Sequence, residues 1–176
     1  MGLRNRQAGA ALGEVLLLLL VMLIFIAQAV PTACKFYRQA AVEYEAEQLL
    51  AAIRYCQNMS RVTAESAWGY GAKEAGRHYV FLQLFPEYQQ IVGGSRDIIS
   101  CHRYLPGIQA VKIHREQGKN IYDSTAELIF SANGKPKSVS YMMTILIYYQ
   151  GYPQEGQRIM VSKGGRIRME RGGIEQ

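Results

Sequence analysis

An uncharged run from Val15 to Cys34 is the feature of this sequence that most limits its fold. At 1.5 Å per residue, a helix of that length crosses the ~30 Å hydrocarbon core of a bilayer. Glu14 stands immediately before the run, and an unpaired charge in hydrocarbon costs roughly 2.5–3.5 kcal/mol on insertion scales. The segment therefore predicts one membrane-spanning helix whose acid requires a cationic partner.

The charges around this run predict its orientation. Arg4 and Arg6 precede it, and cations next to a span are retained in the cytoplasm. Everything after Lys35 is then expected outside the cytoplasm, with the helix in the inner (cytoplasmic) membrane. The net charge is +6, and it falls to +4 if the leader with both arginines is removed. The chain is long enough for one small head with a modest core.

Three interpretations of the N-terminus are open. A cleaved secretory signal fits the basic start and the small-x-small sequence Ala27-Gln28-Ala29, after which signal peptidase would leave Val30 first. A permanent single-span anchor fits the length of the run. The secretory signal leaves Glu14 unexplained, and the simple anchor leaves both Glu14 and Pro31 unexplained.

The third interpretation rests on the spacing of Gly9, Glu14 and Pro31. Glu14 is the fifth residue after Gly9, and Pro31 is the twenty-second. This spacing resembles the type III signal of type IV pilins and pseudopilins, in which a short basic leader ends in Gly. The resemblance implies that a prepilin peptidase cuts between Gly9 and Ala10 and methylates the new terminal amine. The sequence departs from the family at Ala10, where Phe is usual.

This interpretation gives Glu14 a partner. The new amine of Ala10 is cationic near neutral pH, so in a filament it can pair with Glu14 of a neighbouring subunit. The pair removes the burial penalty and fixes the axial register. Pro31 deletes a backbone hydrogen bond and predicts a kink or a local break. The implied partners are other pilins or pseudopilins, the prepilin peptidase/methyltransferase, the inner-membrane assembly machinery and, before assembly, membrane lipid.

The helical pattern continues beyond Pro31. Apolar residues recur at steps of three and four and predict one buried stripe: Val42, Ala46, Leu49, Ile53 and Cys56. The helix is expected to end between residues 60 and 66. Three acids fall outside the stripe and are expected to be solvated: Glu43, Glu45 and Glu47.

The remaining sequence predicts a β-rich head. Strands are predicted over residues 78–85, 109–115, 127–130, 139–149, 157–162 and 166–170, with 86–107 irregular. Asn133-Gly134 and Lys163-Gly164-Gly165 predict hairpin turns. The fold class is α+β, a long N-terminal helix packed on a mainly antiparallel sheet. The predicted parts are a leader (1–9), a transmembrane helix (10–34), an amphipathic helix (35–62) and the head (63–176).

The head resembles a subgroup of the same family. The order LPGI (105–108), ELIFSANGKP (127–136) and IMVSKGGRIR (159–168) is similar to minor pseudopilins of the GspH/FimT type. A ComGD-like pseudopilin of competence machinery is the neighbouring possibility. A type IV pilus, a type II secretion system and a competence apparatus therefore all remain open.

No catalytic or cofactor pattern is present in the sequence. His78, His102 and His114 are isolated, so the sequence predicts neither an enzyme nor a metal site. The three cysteines lack C-x-x-C spacing. Outside the cytoplasm Cys56 and Cys101 could form a disulfide and leave Cys34 near the membrane, or all three could be unrelated small apolar residues.

One basic segment predicts a binding surface. On a strand, Arg166 and Arg168 project from one face about 6.5–7 Å apart, with Lys163 in the adjoining turn. Guanidinium groups grip phosphate oxygens in bidentate fashion. The Gly-Arg-x-Arg pattern also resembles the motif through which FimT-like minor pilins are implicated in capturing DNA. The alternative is an ordinary solvated strand face, which the nearby acid Glu170 favours.

Overall fold

The computed structural model describes residues 3–67, 80–93, 97–116, 119–137, 139 and 142–173. Helix α1 spans Leu3–Ala67 and precedes all described strands. The strands are β1 Phe81–Leu84, β2 Tyr88–Val92, β3 Ile98–Arg103, β4 Ile108–Glu116, β5 Lys119–Asp123, β6 Ala126–Ile129, β7 Met142–Tyr149, β8 Tyr152–Ser162 and β9 Ile167–Arg171. The chain divides into two compact units, Met1–Arg38 and Gln39–Gln176.

The first unit is the N-terminal part of α1. Its side chains from Leu12 to Tyr37 are all exposed. By length and composition, this helix can cross a membrane. The helix continues through Pro31, and the Thr32 hydroxyl donates to the Gln28 carbonyl at 3.3 Å. The sequence predicted either a kink or a local break of the helix at Pro31, and the break is not observed.

The second unit contains the rest of α1 and two antiparallel sheets. Sheet A has the strand order β3-β2-β1-β6, and sheet B has the order β5-β4-β7-β8-β9. Every strand pair in both sheets is antiparallel. The predicted α+β class, a long helix packed on antiparallel β-structure, is confirmed. The sequence predicted one sheet where the structure has two.

The predicted stripe of α1 forms the centre of the core. All five of its residues are buried: Val42, Ala46, Leu49, Ile53 and Cys56. They pack in one cluster with residues of both sheets, including Leu82, Leu84 and Leu128 of sheet A and Ala110, Ile145, Ile147 and Ile159 of sheet B. This packing removes one face of the helix and the facing side chains of both sheets from water together.

The prediction of an irregular segment over 86–107 was wrong. It contains β2 and β3, which extend sheet A beyond β1. The side chains of β2 alternate in burial at its start, but the residues there are all polar: Tyr88, Gln89 and Gln90. The sequence therefore shows no alternation of apolar and polar residues at this strand. β3 is an exposed edge strand with no buried face to leave a hydrophobic signal. The strand β5 was missed as well.

The expectation that Glu45 is solvated was also wrong. Glu45 is only 1% exposed, because it lies beside the buried stripe of α1. Its carboxylate accepts a hydrogen bond from the Leu105 backbone N–H at 2.9 Å and lies 2.7 Å from Nε2 of His102. These two contacts satisfy the buried acid and attach the turn between β3 and β4 to the helix.

A second polar residue of α1, Gln57, joins two turns. Its side-chain amide donates to the carbonyl oxygens of Gly134 and Gly165, each at 2.8 Å. Both glycines have positive φ, +70° and +83°. A Cβ on Gly165 would collide with the Gly134 carbonyl oxygen. The turn after β6 and the turn between β8 and β9 therefore pack directly on each other.

We expect Glu45→Ala to lower the free energy of unfolding by about 1–3 kcal/mol, because a buried N–H loses its acceptor. Glu47→Ala is the matched control: it removes the same charge from an exposed position and should change stability by less than about 0.5 kcal/mol. Urea unfolding of the full chain in detergent, followed by near-UV circular dichroism, measures both. Equal midpoints would show that the Glu45 contacts do not hold the turn.

Gly165→Ala should destabilise the head by at least the roughly 1–2 kcal/mol that the left-handed backbone costs an L-residue. Gly164→Ala is its control, since the nearest atom to an added Cβ is the Ser162 hydroxyl at 3.8 Å. The same urea titration compares the two variants. If Gly164→Ala proves the more damaging, the close packing of the two turns is not as described.

Candidate functional site

The predicted processing and assembly residues lie in the first unit. Gly9 and Ala10 belong to the helical backbone of α1, and Glu14 is exposed on the same helix. Large apolar side chains follow it, more than half exposed from Val15 to Leu20. Within the described residues, no side chain forms an ion pair with the Glu14 carboxylate.

The predicted basic turn is built around Ser162. Its backbone N–H donates to the Arg166 carbonyl at 3.0 Å, and its hydroxyl accepts from the Arg166 N–H at 3.1 Å. The Gly165 N–H donates to the Ser162 carbonyl at 2.9 Å. These three bonds fix the turn that exposes Lys163.

The predicted facing of β9 is confirmed. Ile167 and Met169 are partly buried and pack on the core, whereas Arg166 and Arg168 are exposed. Alternation along a strand places the two arginines on the side of sheet B away from the core. The structure therefore presents Lys163, Arg166 and Arg168 to solvent together; DNA contact through them stays a prediction.

The sequence did not indicate that a second basic turn joins this one. Lys135 follows Gly134 in the turn after β6 and is exposed. Arg61 of α1 is also exposed, and its guanidinium lies against Gly134. The one available signal was Gln57, a polar residue directly after Cys56 in the buried stripe. We call Arg61, Lys135, Lys163, Arg166 and Arg168 the basic surface.

Three other cations of the described residues are engaged with acids. Arg171 bonds Glu43 at 2.7 Å, which raises the arginine's pKa. Lys112 contacts Asp123 at 3.1 Å, and Arg103 lies 3.5 Å from Glu87. Within the described part of the chain, no residue of the basic surface forms such an ion pair.

The three cysteines have different environments. Cys34 and Cys101 are exposed and Cys56 is buried, all as free thiols. Burial raises the pKa of Cys56 to about 12, so its reactive thiolate is scarce at neutral pH. The pairing of Cys56 with Cys101 stays a prediction, which peptide mapping without reductant tests.

The histidines show no metal centre within the described residues. No group of three or more His, Cys, Asp or Glu side chains there could hold an ion. His102 is engaged with Glu45, and its ring meets that of Tyr104 edge-on at 6.1 Å. His78 and the side chain of His114 lie outside the described residues.

No protein-family model matches the chain, and no curated protein matches its sequence. Two crystal forms of the type IV minor pilin FimU from Pseudomonas aeruginosa PAO1 are similar in structure. One is 17% identical with a TM-score of 0.48, and the match covers 73% of this chain and 91% of FimU. The other is 18% identical with a TM-score of 0.49, covering 73% and 87%. The similarity is one of fold, at low sequence identity.

Proposed function

We propose that this chain is a minor pilin or pseudopilin, a filament subunit of a type IV pilus, type II secretion or competence apparatus. The observation that carries the proposal is the division of α1 into two parts. The first part is apolar and exposed from Leu12 onward, and the second buries one stripe in the head. An exposed apolar helix attached to a folded head fits a subunit that leaves the membrane to pack among similar helices.

Processing and pairing follow from the same helix. A prepilin peptidase would cut after Gly9, with the span in the cytoplasmic membrane and the head outside it. Methylation would leave the Ala10 amine cationic. Glu14, which has no ion-pair partner among the described side chains, then pairs with Ala10 of a neighbouring subunit. Pro31 lies further along the assembling helix.

The head-associated part of α1 also supports lateral packing. Tyr44, Tyr55 and Val62 are 51%, 43% and 62% exposed. Steps of eleven and seven residues place them on one face, opposite the buried stripe. Ala51 lies on the same face and is exposed. A face of aromatic and small residues suits close contact with another helix.

We expect the chain, co-expressed with a prepilin peptidase, to have Ala10 as its first residue in amino-terminal mass spectrometry. Gly9→Val should remain uncut, because a branched side chain replaces the residue before the scissile bond. Gly13→Val is the control and should still be cut, since nothing lies within 4 Å of its Cβ position.

The first residue also separates the alternatives. A mature chain beginning at Val30 would establish an ordinary secretory signal. A chain that retains its leader in the presence of active peptidase would indicate a permanent anchor. Either result contradicts the pilin proposal.

A second candidate function is DNA capture for uptake by the same subunit. The observation that favours it is the exposed strip of Lys163, Arg166 and Arg168, free of ion pairs with described acids. Cations held on a turn and a strand suit the phosphate backbone and carry no base preference. The contact would therefore be electrostatic and independent of sequence.

We expect Arg166→Ala combined with Arg168→Ala to weaken binding of a labelled DNA duplex. The slope of log affinity against log salt should fall by about 1.8, because each lost phosphate contact is worth about 0.9. Fluorescence anisotropy of the full chain in neutral detergent measures this. Arg103→Ala is the control, since Arg103 is 81% exposed but already lies beside Glu87. Unchanged binding at low salt would eliminate this function.

A further inference from the structure

We infer that the DNA site of the second candidate function extends beyond β9, and that Arg61 and Lys135 are phosphate-contacting residues of the same site. The inference rests on that proposed function. The ligand is a polyanionic duplex that spans the whole basic surface rather than one phosphate bound at the Gly-Arg-x-Arg strip.

The contact between the two turns carries the inference. Gln57 is 8% exposed, and its one amide group donates to both turn carbonyls at 2.8 Å. A Cβ on Gly165 would meet the Gly134 carbonyl oxygen, so the turns touch backbone to backbone. Lys135 directly follows Gly134, and Arg166 directly follows Gly165. The side chains of these two cations are therefore attached to neighbouring points of the backbone.

Helix α1 adds the fifth cation. The Arg61 guanidinium lies where a Cβ on Gly134 would be, in contact with the second turn. Arg61 is one helical turn beyond Gln57 on α1. Three separate elements, the helix and two turns, therefore present cations at one place.

The two turns themselves are basic, and the acid that follows them, Glu170, lies two residues after Arg168 on β9. Residues 131–137 contain two cations, residues 162–168 contain three, and neither stretch contains an acid. The side chains of the basic surface are exposed and form no ion pair within the described residues. Elsewhere in the head three cations each form an ion pair with an acid: Arg103, Lys112 and Arg171. Uncompensated cations on fixed turns attract a polyanion and lose little freedom on binding it.

The test is Arg61→Gln combined with Lys135→Gln in the full chain, in neutral detergent, with a labelled mixed-sequence duplex. Each lost contact should lower affinity roughly five- to tenfold at 0.1 M salt and reduce the salt slope by about 0.9. Arg61→Lys combined with Lys135→Arg keeps both charges and should retain affinity within about twofold. Arg103→Gln combined with Lys112→Gln is the matched control for net charge.

The possible outcomes distinguish the extended site from the DNA-binding function on which it rests. If Arg166 and Arg168 matter but Arg61→Gln with Lys135→Gln leaves the slope unchanged, the extension is wrong and the smaller site stands. If the control pair lowers affinity as much, net charge alone explains binding and the extension is wrong. If the unaltered chain does not bind DNA at low salt, the candidate function and the extension both fall. A selective loss with Arg61→Gln and Lys135→Gln supports the larger site.

Discussion

Burial of one face of α1 is the interaction on which the head depends. Sheet A and sheet B form separate strand ladders, and no described strand of one pairs with a strand of the other. One backbone bond at their border runs from the Ala110 N–H of β4 to the Pro86 carbonyl in the turn between β1 and β2, at 3.0 Å. Both sheets meet the same helical stripe, where Leu49 and Ile53 are fully buried. Without the helix, each described sheet would expose the apolar face that now forms the common core. The hydrophobic effect thus makes the helix the structural link between the two sheets.

Polar residues on the same helix give this apolar contact its specificity. Hydrophobic burial is not directional, whereas a hydrogen bond fixes which groups meet. Glu45 fixes the turn between β3 and β4, and Gln57 fixes two turns at once. Because an unsatisfied buried polar group is costly, each residue excludes arrangements in which its turn is displaced. Because Gln57 holds the two turns together, it also fixes the relative positions of the cations that the turns carry.

The helix therefore has several roles along one chain. Its buried face organises the head, and its opposite face leaves Tyr44 and Tyr55 exposed. Its first unit is apolar and carries Glu14. In the proposed filament the apolar first unit and the Tyr44–Tyr55 face of the helix would serve assembly, while Arg61 and the two turns would serve binding. Assembly and DNA contact would then use different surfaces of one subunit.

The sequence alone determined the elements whose signals are local. The periodicity of α1 and its stripe, the strands β7 and β9 and the glycine turn at 163–165 could all be predicted, because each depends on residues a few positions apart. The tertiary structure decided the rest. β2 and β3 depend on pairing with β1, and Glu45 is buried because its partners lie 57 and 60 residues away. Gln57 contacts turns 77 and 108 residues away, so no local pattern could show that two basic turns share one surface.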